Sequence, residues 1–321
     1  MGDLELSVVI KDYDHVAPLA AGDVTLEGAE MDLIRDTEGA LDRTLNDSSV
    51  DVGELSFARH IIRLANDDRS FVGIPVFPTQ RFRERVFYTL EANGITELTD
   101  LAGKRMGTNE WPATGNTWSR AVLREQGVDI TGIEWTVGPV DDPDYPMRPH
   151  PKLPENVRMA EDGITLRQLL LEGEIDALMC PLPPAGFYDP NDPVVRVLAD
   201  YRQAEKEFYR RTQIYPPHHL MGIRRDVFEA NPWIATALFD AFERSKDQWF
   251  EQRARLTDTV PWLLPEIEET VALIGEDWLP YGYDAKQREI EMLCREAYEQ
   301  GLIDQPLDPD TIFEEFDNVA K

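Results

Sequence analysis

The sequence predicts an α/β fold with a helical C-terminal region, on three observations. Short β-branched and apolar runs alternate with amphipathic segments over residues 4–78, the pattern of a parallel sheet with crossover helices. A second strand–helix set begins at "GKRMGTN". From Arg224 onward the pattern is almost wholly helical.

Taken in order, "LELSVVI" (Leu4 to Ile10) is an apolar run of strand length. "KDYDHVAPLAAGDV" follows as loop and short helix, and "AEMDLI" is the second strand. "TEGALDRTLN" reads as helix and "VDVGELS" as the third strand. Ser56 is placed to cap the helix "FARHIIRLAND". "FVGIPVFP" is a strand ending at Pro78, which has no N–H to give a ladder. In the second set, "VDITGIEWTVG" is a strand region, "GITLRQLLLEGEIDALMCP" a helix, turn and strand, and "VVRVLAD" another strand. The Pro- and Asp-rich segment from Asp141 to Pro154 has no apolar period and reads as a loop. The final helices are "NPWIATALFDAFERSKDQWF", "LPEIEETVALIG", "AKQREIEMLCREAYEQG" and "DPDTIFEEFDNVA". The first has a wide apolar stripe, which suits packing onto the first sheet or, as an alternative, a homo-oligomer interface.

Charge narrows the partners. The net charge is −29, with 61 acidic residues against 25 Arg and 7 Lys. Nucleic acid and anionic membrane surfaces are therefore disfavoured, while a small anion is accommodated if Arg residues reverse the field locally. The two cysteines, Cys180 and Cys294, are far apart, so no disulfide framework is expected. The first residues carry no cationic start and no long apolar run, and a cytoplasmic location is the expectation. No Gly-rich dinucleotide loop, phosphate loop or nucleophile elbow follows a strand.

Three pieces in this order resemble the type II periplasmic-binding-protein superfamily: "DLAGKRMGT", "LLLEGEIDALMCP" and the helical return to the first lobe. Within it the chain resembles the 4,5-dihydroxyphthalate decarboxylase family. The residues that carry this are "DYDHVAPLAAGDV", "DVGELSFARHI", "IPVFPTQRFRERVFYT", "GKRMGTNEWPATGNTWSRAVLREQGV", "IYPPHHLMGIRRD", "NPWIATALFDAFERSK" and "WLPYGY". The chain departs from the family pattern at Glu84, where a basic residue, usually His, is expected, and at Asp284 and the residues after it, which lack an Asn. "EWPATGN" is also an unusual version of its loop. The resemblance implies a two-lobed fold with a ligand crevice between the lobes. Residues 1–100 would form the first part of lobe 1, residues 101–215 lobe 2, and residues 216–321 the return to lobe 1 and the C-terminal helices.

In such a fold, ligands bind at the carboxyl ends of strands. Five strand-end segments are then expected to converge: Tyr13–His15, Glu54–Ser56, Thr79–Arg83, Asn109–Thr117 and Pro216–His219. Thr114, Asn116 and Thr117 offer donors, Gly115 permits close backbone approach, and a helix beginning near Asn116 would aim free N–H groups at an anion. Trp111 is suited to stacking on an aromatic ring. Arg81, Arg83 and Arg85 alternate, so an extended segment would put them on one face for carboxylate binding, and Arg120 is in reach of the same site. As an alternative, the arginines answer surface acids and Trp111 is core.

Among the histidines, His15 and one of His218 and His219 lie in strand-end loops, while His60, beside Ile61 and Ile62, reads as structural. The resemblance implies a cofactor-independent decarboxylase of a hydroxylated aromatic dicarboxylate. His15 or His219 would be the proton donor, with Glu54 or Asp14 orienting it or receiving a phenol proton. Tyr13, Ser56 and His218 join the substrate-binding candidates. A divalent metal on His15, Glu54 and His219 is a less favoured alternative, since no His-x-His or His-x-x-x-His spacing is present. A non-catalytic binding protein for an aromatic or dicarboxylic acid, or a sister enzyme acting on another small carboxylate, would use the same residues.

Overall fold

A computed structural model of the chain describes residues 4–148, 152–253 and 260–321. His150 and part of the Asp141–Pro154 loop lie outside the described residues. In chain order the elements are β1 (Glu5–Ile10), α1 (Ala17–Ala21), β2 (Glu30–Arg35), α2 (Ala40–Asn46), β3 (Val52–Ser56), α3 (Phe57–Ala65) and β4 (Phe71–Ile74). Then come β5 (Phe87–Leu90), β6 (Arg105–Thr108), α4 (Thr114–Glu125), β7 (Glu134–Val137), β8 (Val157–Met159), α5 (Leu166–Leu171), β9 (Ala177–Met179), β10 (Val194–Arg196) and α6 (Tyr201–Thr212). The chain ends with β11 (His219–Arg224), α7 (Arg225–Ala230), α8 (Ile234–Arg253), α9 (Leu263–Ile274), α10 (Tyr283–Glu299) and α11 (Glu314–Ala320).

The chain divides into two compact units. One comprises Met1–Gln80, Pro217–Glu291 and Leu307–Lys321; the other comprises Arg81–Pro216 and Met292–Pro306. Residues 81–100, which the sequence reading assigned to the first lobe, thus pack with the second unit, as do Met292–Pro306.

The first unit holds a five-stranded sheet in the order β2-β1-β3-β11-β4. β1 runs parallel to β2 and β3, but β11 is antiparallel to both β3 and β4. The second unit holds a six-stranded sheet in the order β10-β5-β9-β6-β7-β8, in which β5 is antiparallel to both β10 and β9. The expected parallel sheets therefore each accept one reversed strand. In both cases it is the strand that follows the chain's passage from one unit into the other.

Burial explains the strand runs. In β1, Leu6, Val8, Val9 and Ile10 are buried, and all of β4 is buried. β4 stops at Ile74 rather than Pro78. Ser56 occupies the N-cap of α3 by position, but its hydroxyl makes no capping hydrogen bond. α4 begins at Thr114, two residues earlier than the sequence suggests. The apolar stripe of α8 packs on α1, on the turn at Asp14–Val16 and on α11, with Ile234, Leu238 and Phe242 buried. Among the described residues, no helix is long and apolar enough to cross a membrane.

Candidate active site

In the first unit, the β3–β11 ladder builds a carboxylate–histidine pair. Register places His219 opposite Ser56 and Met221 opposite Glu54. Side chains two apart on a strand share a face, so Glu54, Ser56 and His219 lie on one side of the sheet, and Glu54 and His219 are diagonal neighbours. His219 Nδ1 makes a short contact with Glu54 Oε1. The same oxygen accepts the Tyr13 hydroxyl at 2.5 Å, and Oε2 accepts the Lys11 backbone N–H at 2.9 Å. Glu54 is 0% exposed. Burial pushes its carboxyl up, but the charge of His219 and the hydrogen bonds from His219, Tyr13 and Lys11 outweigh this and hold it below the usual carboxylate range. Glu54 meets three partners and fixes the imidazole through Nδ1, which leaves Nε2 as the other ring nitrogen of His219.

His15 extends the same group. Its ring stacks on Tyr13 at 5.6 Å and meets Trp249 and Tyr281, each at 6.4 Å. The helix α8 anchors it, with Ser245 Oγ donating to the His15 carbonyl at 2.9 Å. Asp14 Oδ1 accepts the His15 backbone N–H and lies 3.7 Å from its Nδ1. The Asp14 carboxyl is lowered: burial works against it, and the hydrogen bond and charge of His15 prevail. His15 Nε2 is buried with no hydrogen-bond partner among the described residues, as is the Tyr281 hydroxyl.

Neighbouring histidines have other places. His218 is buried on the opposite face of the strand, its backbone N–H bonded to Thr79. His60 is buried in the body of the unit, and burial, with Arg63 adding to it, pushes its imidazole down to about 4. Among the described residues, no three His, Cys, Asp or Glu side chains are grouped to hold a metal ion. The alternative site on His15, Glu54 and His219 finds no ligand geometry here.

In the second unit, α4 and Arg83 form an anion-seeking group. Thr117 N–H closes the first helical turn on Ala113, so the N–H groups of Thr114, Gly115 and Asn116 precede the helical ladder. The Arg83 guanidinium lies over Gly115, with Cζ, Nη1 and Nη2 within 3.1–3.2 Å of where a Cβ would stand. Its Nε donates to Ser119 Oγ at 2.9 Å, and that hydroxyl donates to the Gly115 carbonyl at 2.9 Å. Arg83 is 3% exposed, and its Nη2 is buried with no partner among the described residues. Burial lowers it to about 9, with repulsion from Arg85 and Arg81 adding to the effect. A buried guanidinium with a spare N–H at a helix N-terminus is chemically suited to a carboxylate.

Several expectations for this loop change. Arg81, Arg83 and Arg85 do not share an extended face, because Glu84–Val86 is a 3-10 turn. Arg81 is exposed and Arg85 pairs with Glu205 at 3.1 Å, so only Arg83 is turned inward to α4. Trp111 is 2% exposed, with the Arg120 guanidinium 3.8 Å above its ring and Trp135 at its edge. It is core, with no face open for stacking. Arg120 donates to the Trp111 carbonyl at 2.8 Å and to Gln300 Oε1 at 2.7 Å, so it braces the loop. Asn116 Nδ2 is spent on Asn109 Oδ1 and the Glu110 carbonyl, and Thr117 Oγ1 on the Ala113 carbonyl. Thr114 is buried at the first position of the helix. Glu84, which replaces the expected basic residue, is buried and accepts the Arg83 backbone N–H, and burial pushes its carboxyl up to about 7. Ser119 and Tyr281 were missed in the sequence. Ser119 was detectable, since it lies four residues after Gly115 on the same helical face.

No family model matches the chain. The fold is similar to that of the periplasmic aliphatic sulphonate binding protein SsuA from Escherichia coli, with a TM-score of 0.52 at 15% identity over 97% of each chain. In sequence the chain is 29% identical over 214 residues to 4,5-dihydroxyphthalate decarboxylase of Pseudomonas putida, covering 65% of this chain and 83% of that protein. It is 32% identical over 324 residues to 4,5-dihydroxyphthalate decarboxylase of Comamonas testosteroni, covering 98% of this chain and 97% of that one. With that likeness running through both units, the chain belongs to the 4,5-dihydroxyphthalate decarboxylase family and is a carboxy-lyase.

Proposed function

We propose that this enzyme decarboxylates a hydroxylated aromatic dicarboxylate such as 4,5-dihydroxyphthalate, by acid–base chemistry of its own side chains without a cofactor. The observation that supports it most is the buried Glu54 carboxylate on His219 Nδ1. An imidazole held this way presents Nε2 for proton transfer, and its imidazolium is stabilised by the carboxylate behind it. The ring hydroxyl para to the leaving carboxylate gives its proton, or shares it, with His15. The oxygen's electron pair moves into the ring. His219 protonates the carbon bearing the carboxylate, the C–C bond breaks, its electron pair restores the aromatic ring, and CO₂ leaves. One proton is consumed for each carboxylate lost. Glu54 is assigned to orienting His219 rather than to the phenol, because its two oxygens already meet Tyr13, Lys11 and His219. Within the second unit, Arg83 and the first turn of α4 suit a carboxylate.

The test is CO₂ release from 4,5-dihydroxyphthalate by purified protein in the presence of EDTA. Wild type is expected to turn over, unaffected by chelator. His219→Ala and Glu54→Gln should lower kcat by about 10²–10⁴-fold with KM little changed. Tight binding of the acid with no CO₂ release would refute the decarboxylase reading, and loss of release on chelation would refute cofactor independence.

A further inference from the structure

Tyr13 was expected to touch substrate, but its hydroxyl is engaged elsewhere. It donates to Glu54 Oε1, the same oxygen that meets His219 Nδ1. Its ring lies on His15, with planes 27° apart. One tyrosine thus joins both histidines of the group: one through a shared carboxylate oxygen, the other through its face.

We propose that Tyr13 is a positioning residue for the reaction, acting through Glu54: by sharing Oε1 it limits how tightly the carboxylate holds the His219 proton. This rests on the assignment of His219 as proton donor. A carboxylate oxygen that accepts two donors gives each a weaker bond than it would give one alone. With Tyr13 in place, the pull of Glu54 on the imidazolium is moderated and the proton is released more readily to a ring carbon. Without it, Oε1 belongs to His219 alone, and the imidazolium is held more tightly.

Among the described residues, the following groups bear on this proton, and Tyr281 also meets His15. From the loop after β1 come Tyr13 and, stacked on it, His15, whose own neighbour is Asp14. From β3 comes Glu54, and from the residue after β1 the charge-neutral N–H of Lys11. From α8, Arg253 acts on Asp14, and Trp249 meets His15. Tyr13→Phe removes only the hydroxyl and keeps the ring on His15.

The experiment is nitrogen-15 NMR of the histidine rings across pH, on the full chain without substrate, together with kcat and KM against pH for wild type and Tyr13→Phe. In wild type, His219 should carry its neutral-form proton on Nδ1. In Tyr13→Phe its titration should move up by about one pH unit, the size expected for losing one hydrogen bond to a charged acceptor. The alkaline limb of kcat should move up with it, kcat at neutral pH should fall about tenfold, and KM should stay within about twofold. A rise in KM with the His219 titration unmoved would overturn the proposal and make Tyr13 a ligand contact. Should Tyr13→Phe fail to fold, the wild-type spectrum still decides: a His219 proton resident on Nε2 overturns it. The NMR arm needs no turnover, so a failure of the decarboxylase assignment would show separately, as absent CO₂ release.

Discussion

Replacing Gly115 with Ala opposes two effects whose sizes can be compared. Within a helix, Ala is favoured over Gly by about 0.8–1 kcal/mol, and less in the first turn, so propensity alone forecasts a modest gain in stability. At this position the new methyl would stand 3.1 Å from Arg83 Cζ and Nη2 and 3.2 Å from Nη1. Carbon atoms pack best at about 3.5–4.0 Å, so the guanidinium must retreat by roughly half an ångström. It is not free to do so, because Nε is tied to Ser119 Oγ at 2.9 Å in a buried setting. A retreat of that size carries the bond past normal reach, at a loss of about 1.5–3 kcal/mol for a bond to a charged group. The loss exceeds the propensity gain, so Gly115→Ala should be destabilised by about 1 kcal/mol. The displaced Nη2 should also weaken substrate binding, raising KM about tenfold or more with kcat less affected. Urea midpoints and steady-state kinetics measure both. A more stable protein with unchanged KM would refute the placement of Arg83 as the carboxylate receptor.

Three other outcomes are expected. His60 is neutral when folded, with its imidazole pushed down to about 4, whereas the unfolded chain takes up a proton near 6.5. Its contribution is therefore fully present above about pH 6.5 and is lost as pH falls towards 4, by about 3 kcal/mol at most; His60→Leu should lose this part of the pH dependence in urea titrations, and identical slopes would count against it. Arg120→Met leaves the Trp111 carbonyl and Gln300 Oε1 without their donor. Thermal or urea unfolding should show a loss of about 3–5 kcal/mol while KM of the folded fraction is retained; a raised KM would reassign Arg120 to the ligand. Finally, a net charge of −29 repels a dianionic substrate at long range. Raising salt from ~0.01 M to ~0.5 M should therefore increase kcat/KM several-fold, since the buried Arg83 is screened less than the surface, and a decrease would show that the local positive field dominates encounter.

The strands β1 to β4, β6, β7, β9 and β10 were legible because apolar runs such as "LELSVVI" have one stable use in an α/β protein, burial in a sheet, whereas β5, β8 and β11 were not read as strands. Strand direction was not legible. β5 and β11 carry the same kind of side chains as their parallel neighbours, and what reverses them is where the chain re-enters each sheet, which no local pattern records. The Glu54–His219 pair shows the same limit. The two residues are 165 apart in sequence and meet only because β3 and β11 are ladder neighbours with His219 opposite Ser56. Their types marked them as candidates, and the register alone makes them partners.

The loop at Asn109–Arg120 was over-read for a physical reason that applies beyond this chain. A run rich in Thr, Asn, Trp and Arg invites the reading that every polar group faces one ligand. Once the run becomes helical from Thr114, successive side chains turn by 100° and cannot all do so. Gly115 and Ser119, four apart, take the face beneath Arg83. Asn116 and Arg120, also four apart, take another, and close the loop on Asn109, Glu110, Trp111 and Gln300. The second set is engaged within the protein, yet the group around Arg83 depends on it. N–H groups at the start of a helix can be aimed only if the turn that carries them is rigid, and here a buried arginine with no carboxylate partner among the described residues, lying on a tryptophan, supplies that rigidity. The residue in this loop with the least chemistry of its own, Gly115, is thus the one whose small size the proposed anion-binding group most requires.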